Sequence, residues 1–357
     1  MSDIERELLG GASSGGGGLA GTVTQDDVPP DVDVDSEEIK ARGYWEQVWG
    51  RFKRDKIAIA GGITIILLLL GAFVLAPIMK WLLGHGPNDP FFIGGVNQKT
   101  LLPVGPFTRI PDDMHPGHTT IFILGADSTL GRDEFLRLLY GAQASFEVAI
   151  LSTIGAVSIG VTLGAIAGYF RGWTDTVVSR VTEITMAFPA LLFIIALAST
   201  VGNRLNDITF GGLFGQGVVT LVLVFTAFGW FYPARIVRAV VLSLREKEYV
   251  EAARMVGSSD SRIIRSHILP HLVAPVIVYS TLAVASFIIG EAGLSYLGVG
   301  IKLPTPSWGN LLQQATDYYT QQPWLMVWPG LAVLITTLSF NLLGDGLRDA
   351  FDPRSTH

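Results

Sequence analysis

The sequence predicts an all-α polytopic membrane protein with six transmembrane helices and both termini on the cytoplasmic side. Three observations carry this expectation. Hydrophobic residues make up 49% of the chain and charged residues only 16%, with a mean hydropathy of +0.44, which is unlike an ordinary soluble domain. Six stretches reach or approach the roughly 20 apolar residues that a helix needs to cross a bilayer core: 57–79, 148–170, 181–201, 213–231, 273–289 and 325–343. Basic residues, which stay preferentially on the cytoplasmic side, cluster before the first stretch (Arg51, Lys53, Arg54, Lys56) and between the fourth and fifth (Arg235 to Arg265). They are nearly absent from 291–324, where Lys302 stands alone.

Taken in order, residues 1–43 hold a Gly/Ser run (10–18) and an acidic stretch (26–38). Such a segment cannot bury enough apolar surface to offset its ordering entropy, so a disordered cytoplasmic tail is expected. Tyr44, Trp45, Trp49 and Phe52 then stand beside Arg51 and Lys53, a pattern suited to a short interfacial segment leading into the first span over 44–83. That span begins near residue 57, behind a charged tail, which predicts an anchor rather than a cleaved signal peptide. An extracytoplasmic loop follows over 84–145, rich in Pro and Gly, with a short helix predicted at 134–141. His115 and His118 invite a metal reading, but Pro116-Gly117 between them argues against a helix that would bring them together. The remaining five spans form a core over 146–350. Ala, Gly, Thr and Val are frequent there, so helices can approach closely. Pro77, Pro189, Pro275 and Pro329 are tolerable where neighbours re-satisfy the freed backbone groups.

The segment 246–270 between the fourth and fifth spans is polar and helix-forming. Tyr249, Ala252, Ala253 and Val256 fall at i, i+3, i+4 and i+7, one apolar stripe, with Glu248, Glu251 and Arg254 off it. Gly257 can take the left-handed conformation that ends a helix. Ser259 or Asp260 can cap a second helix in which Arg262, Arg265 and His267 mix with Ile263, Ile264 and Ile268. Leu269-Pro270 marks the expected turn into the fifth span. The arrangement reads as a docking surface for another protein; the plainer alternative is an amphipathic loop packed against its own bundle.

Several chemistries are disfavoured. The chain has no cysteine, so disulfides, thiolate metal sites and cysteine nucleophiles are excluded. No Gly-Lys dipeptide occurs, so a phosphate-binding loop is missing and any ATP hydrolysis must come from a partner. Glu147 and Glu291 lie near outside ends of spans and Glu183 near an inside end. Glu183 and Glu291 are candidates for a translocation path or gate. The plainer reading for each is snorkelling, or a structural pair with Arg180 or Arg132. An ion-driven secondary transporter would need carboxylates deep in paired, discontinuous helices, and the sequence offers neither clearly.

Glu251-Ala252-Ala253, Gly257 and Leu269-Pro270 at this spacing resemble the EAA loop by which permeases of bacterial ABC importers grip their ATPases. His267 stands where the general pattern has isoleucine, and His-Ile-Leu-Pro is common in the peptide branch. Leu124-Gly125 with Gly131-Arg132-Asp133, Gly168-Tyr169-Phe170, Ala187-Phe188-Pro189, Glu291-Ala292-Gly293-Leu294-Ser295 and Asn341-Leu342-Leu343-Gly344-Asp345-Gly346 are similar to peptide-permease motifs. Together they resemble the C-type permease subunit of the dipeptide/oligopeptide and nickel ABC importers. The resemblance implies a type I importer fold in a bacterial inner membrane. It implies a second permease subunit, two cytoplasmic ATPases that bind ATP and Mg²⁺, and an external solute-binding protein. It gives this chain contact with membrane lipid but not with nucleic acid, and no cofactor or catalysis of its own. Glu251, Ala252, Ala253, Gly257, Arg262, Arg265, His267, Leu269 and Pro270 would then form the ATPase joint. Peptide is the implied cargo, with nickel or another small solute as the alternative.

Overall fold

In a bilayer every backbone polar group must be satisfied within the chain, so the apolar runs fold as helices and their boundaries follow caps and breakers. A computed structural model of the chain describes residues 43–112, 117–187, 189–205 and 208–352. The tail expected over 1–43, apart from Gly43, lies outside the described residues, as does His115.

Helix α1 (Tyr44–Phe52) precedes α2 (Lys56–Leu70), whose first N–H groups at Ile57 and Ala58 are capped by the Asp55 carboxylate. A π-turn at Gly71–Leu75 joins α2 to α3 (Ala76–Leu83), and the three run as one span, Lys56–Leu83. Outside it, β1 (Thr108–Pro111) pairs antiparallel with β2 (Thr119–Phe122) over a small core of Phe91, Ile110, Phe122 and Ala126.

Helix α4 (Glu134–Phe170) starts where the sequence predicts a short helix, under an Asp133 cap, but runs on without a break for 37 residues. The segment 134–141 is therefore the first turns of the second span, not a separate helix. No breaker separates the two, because Gly141 serves as a contact: a Cβ there would sit 3.3 Å from the Ser307 backbone.

The third span departs furthest from expectation. Where one helix is predicted over 181–201, α5 (Gly172–Ala187) and α6 (Ala190–Leu205) meet at an angle of 89° about Pro189. Proline lacks the N–H that would carry the helix through and disfavours helical backbone at the residue before it. Among the described residues, five helices are thus long and apolar enough to cross a membrane, or six when the bent pair counts as one.

Helices α7 (Val218–Gly229) and α8 (Phe231–Arg245) form the fourth span, later in the chain than predicted. The left-handed glycines Gly211, Gly212 and Gly217 keep Leu213 in a loop. After α9 (Glu248–Met255) and α10 (Asp260–Ile263), a π-turn at Ile264–Ile268 leads into α11 (Leu269–Tyr296). The turn predicted at Pro270 does not occur, and the helix continues through it from Asp260 to Tyr296. A π-turn just before the proline opens the hydrogen-bond ladder where its missing N–H falls. Helix α12 (Trp308–Ala315), started by a Ser307–Asn310 capping box, precedes α13 (Trp324–Phe351).

Helix α4 is the central post. Gly160, Gly164 and Gly168 lie one turn apart, and a Cβ at each would come within 2.5, 2.5 and 2.8 Å of Pro233, Ala234 and Val241 on α8. The two backbones touch along three turns, as packing without a hydrophobic drive between helices requires. At one end of the bundle, Trp45 of α1 meets Phe351 edge-on at 6.1 Å and Arg51 donates to the Asp352 carbonyl at 2.9 Å. The flanks of the first and last spans therefore lie on the same side.

Candidate functional site

The hairpin between α8 and α11 is rooted by its apolar residues and leaves a second set uncovered. Val250, Ile263 and Ile268 are fully buried with Tyr169, Val237, Val241 and Leu272, and Ala253 packs against this cluster. The predicted stripe is thus divided. Ala253 faces the bundle with Val250, while Ala252 and Val256 face away; Val256 is 87% exposed and its neighbour Met255 83%. The sequence pattern found an amphipathic helix but not that its stripe divides between the bundle and the outside. The helix is short, and α8 and α10 approach it from the Val250 side.

The joint after α9 has a defined geometry. Gly257 takes φ 84, its N–H bonds the Arg254 carbonyl at 2.9 Å, and the Ser258 N–H reaches the Ala253 carbonyl at 3.0 Å. This is a Schellman end, which needs the left-handed residue that glycine supplies. Beyond it the chain restarts at Asp260. Arg262 and Arg265 are exposed, His267 is half-buried near the Tyr249 ring, and Leu269 and Pro270 are exposed. Glu251 and Ala252 also face outward.

One residue central to this site carried no role in the sequence reading. Tyr169, at the end of α4, donates its hydroxyl to Asp260 Oδ1 at 2.6 Å. Arg254 lies over its ring at 5.1 Å, and its carbonyl accepts from the Arg245 guanidinium. Tyr169 thereby ties both arms of the hairpin to the central post. Its only sequence signal was membership of the Gly168-Tyr169-Phe170 motif, far from the hairpin in the chain. His271 similarly stacks on Tyr249 at 5.7 Å and 16°.

The two carboxylates nominated for a translocation path have different surroundings. Glu183 is exposed, pairs with Arg180 at 2.7 Å and lines a cavity of about 380 Å³ between α5 and α8. Glu291 is wholly buried and accepts from Ser145 Oγ at 2.6 Å and Ser295 Oγ at 2.7 Å. It neither snorkels nor pairs with Arg132, and in this conformation it presents no surface to a path. Serine hydroxyls from α4 and its own helix supply the hydrogen bonds that a buried carboxyl needs. Arg132 is engaged elsewhere, 2.7 Å from Asp127, which also holds Arg137 at 2.8 Å. Asn88 and Gln314 bond these arginines. His85 Nε2 lies 3.1 Å from Asp133. This buried polar staple fixes the segment between α3 and α4 to α4 and α12.

Comparison with known proteins shows the family. Residues 160–357 match the binding-protein-dependent transport system inner membrane component, and residues 43–98 match the N-terminal TM domain of oligopeptide transport permease C. The chain is 33% identical to the dipeptide transport system permease protein DppC of Alkalihalophilus pseudofirmus over 325 residues, 91% of this chain and 95% of that one. It is 34% identical to the glutathione transport system permease protein GsiD of Pectobacterium atrosepticum over 313 residues, 88% of this chain and 92% of that one. The matched proteins are transport permeases, not enzymes, and several long apolar helices accord with a multi-pass bacterial membrane protein. The chain belongs to the family of binding-protein-dependent transport system inner membrane components.

Proposed function

We propose that this chain is one permease subunit of an ATP-driven peptide importer and that the hairpin of α9 and α10 couples it to cytoplasmic ATPases. The observation that carries the coupling assignment is the uncovered apolar tip. Met255 and Val256 stand almost fully exposed, and Arg262 and Arg265 are exposed too, on a hairpin whose other side is locked by Val250 and Tyr169. A rigidly rooted element that presents apolar and basic groups suits docking to another protein. Glu251, Ala252, Ala253, Gly257, His267, Leu269 and Pro270 complete the joint, either on its surface or behind it. A second permease, a pair of ATPases holding ATP and Mg²⁺, and an external binding protein complete the importer. Both cargoes named for the matched permeases, dipeptide and glutathione, are peptides, which favours peptide over nickel here.

The test is ATP-dependent uptake of a labelled dipeptide into proteoliposomes holding the complete complex. Glu251→Ala and the double change Met255→Asp with Val256→Asp are expected to assemble in the membrane yet import at least several-fold less peptide per ATP hydrolysed. Normal import by both would remove the coupling role. No ATP-dependent import by the unmodified complex would remove the function itself.

A further inference from the structure

Helix α5 is an unusual membrane segment. It carries Asp175, Arg180 and Glu183 together with Thr176, Ser179 and Thr182, and of its residues only Thr182 is buried. Ionisable groups facing hydrocarbon are expensive, so this helix faces water or another subunit. The cavity of about 380 Å³ on its α8 side is lined by Ser179, Thr182, Glu183, Arg235 and Arg238, together with the thioether of Met186. That volume falls within the range of roughly 300–1,000 Å³ typical of small-molecule sites.

The arginines along this flank are matched, with one exception. Arg238 grips both oxygens of Asp175, Arg180 pairs with Glu183, Arg171 pairs with Glu246, and Arg245 donates to the Tyr169 carbonyl. Arg235 has no carboxylate partner among the described residues; its Nη1 meets only the Met186 sulfur, at 3.9 Å. It is exposed on the cavity wall, ten residues before Arg245 and so about 15 Å further along the helix. An unmatched guanidinium on a cavity wall is suited to receive an anion, and its planar fork fits a carboxylate with two parallel hydrogen bonds.

We infer that Arg235 receives the α-carboxylate of the peptide cargo as it passes the α5–α8 wall. This rests on the peptide-importer reading above. On the same wall the Ser179 and Thr182 hydroxyls already donate to Asp175 and to the Ser179 carbonyl, which leaves their oxygens to accept from the peptide's N–H groups. A lipid phosphate carries the same anionic chemistry, so the test must separate the two sources.

The experiment uses the complete complex in phosphatidylcholine vesicles with and without phosphatidylglycerol. The binding protein is saturated either with a dipeptide or with its C-terminal amide, and uptake of each is measured. In the unmodified complex the free acid is expected to be taken up faster than the amide. Arg235→Gln is expected to lower the acid-to-amide ratio about tenfold, the loss of one charge-assisted interaction, in both lipid compositions. Arg235→Lys is expected to restore the ratio in part. An unchanged ratio, an equal loss of both cargoes, or an effect that appears only with phosphatidylglycerol would overturn the assignment. Failure of the unmodified complex to import either peptide would instead overturn the reading beneath it, and the inference with it.

Discussion

Tyr169 ties both arms of the hairpin to α4 and Gly257 forms the turn between them, and each offers a graded test. Tyr169→Phe keeps the ring under Arg254 but removes the hydrogen bond to Asp260, a loss of about 1 kcal/mol. The expected outcome is normal assembly with more ATP hydrolysed per peptide imported; Tyr169→Ala, which also loses the ring, is expected to be worse. At Gly257 an alanine must hold φ 84 against its own Cβ, at about 1–2 kcal/mol. Proline cannot adopt that angle and would also remove the N–H that bonds Arg254. Coupling is therefore expected to weaken in the order Gly, Ala, Pro, read as import per ATP at equal expression. A flat series would mean that the left-handed turn is incidental. The sequence showed Gly257 because a glycine after an Ala-rich helix is a local signal. It could not show Tyr169, whose partners Arg254 and Asp260 are brought to it only by the tertiary fold.

At the scale of elements, two prolines reverse what the sequence suggested, since Pro189 was expected to be tolerated inside a span and Pro270 to mark a turn. Pro189 breaks the third span through 89°, whereas Pro270 is carried through a continuous helix behind a π-turn. Hydropathy located both spans because apolar length is local. The break depends on whether a neighbouring turn absorbs the missing N–H, which no local pattern records. The same holds for Glu291. Its position near a span end was readable, but its partner Ser145 lies 146 residues away in sequence. Glu291→Gln preserves shape and hydrogen-bonding capacity and is expected to change thermal stability little in detergent. Glu291→Leu leaves the Ser145 and Ser295 hydroxyls without their acceptor and is expected to cost about 1–3 kcal/mol. If the two variants melt alike, the buried serine contacts contribute nothing.

At the scale of the molecule, every assignment depends on which face the hairpin occupies. The structure places α1 against the end of α13, so the two flanks share a side, consistent with an even number of spans and with the bent pair crossing as one. The hairpin and the α12 end of the bundle are separated by the length of α11, 28 residues or about 42 Å of helix. They must therefore lie on opposite faces of the bilayer. The charge pattern predicts a cytoplasmic hairpin: Arg254, Arg262 and Arg265 surround it, while Lys302 is the only basic residue from Glu291 to Trp324. The chain has no cysteine, so an introduced thiol can be read without background. In intact cells, Ser259→Cys is expected to resist a membrane-impermeant thiol reagent and to react only after permeabilisation. Thr320→Cys, at an exposed position after α12, is expected to react from outside. Labelling of the Ser259 variant in intact cells would put Met255 and Val256 on the face where no ATPase can reach them. The coupling assignment could not survive that result, whatever the quality of the family match.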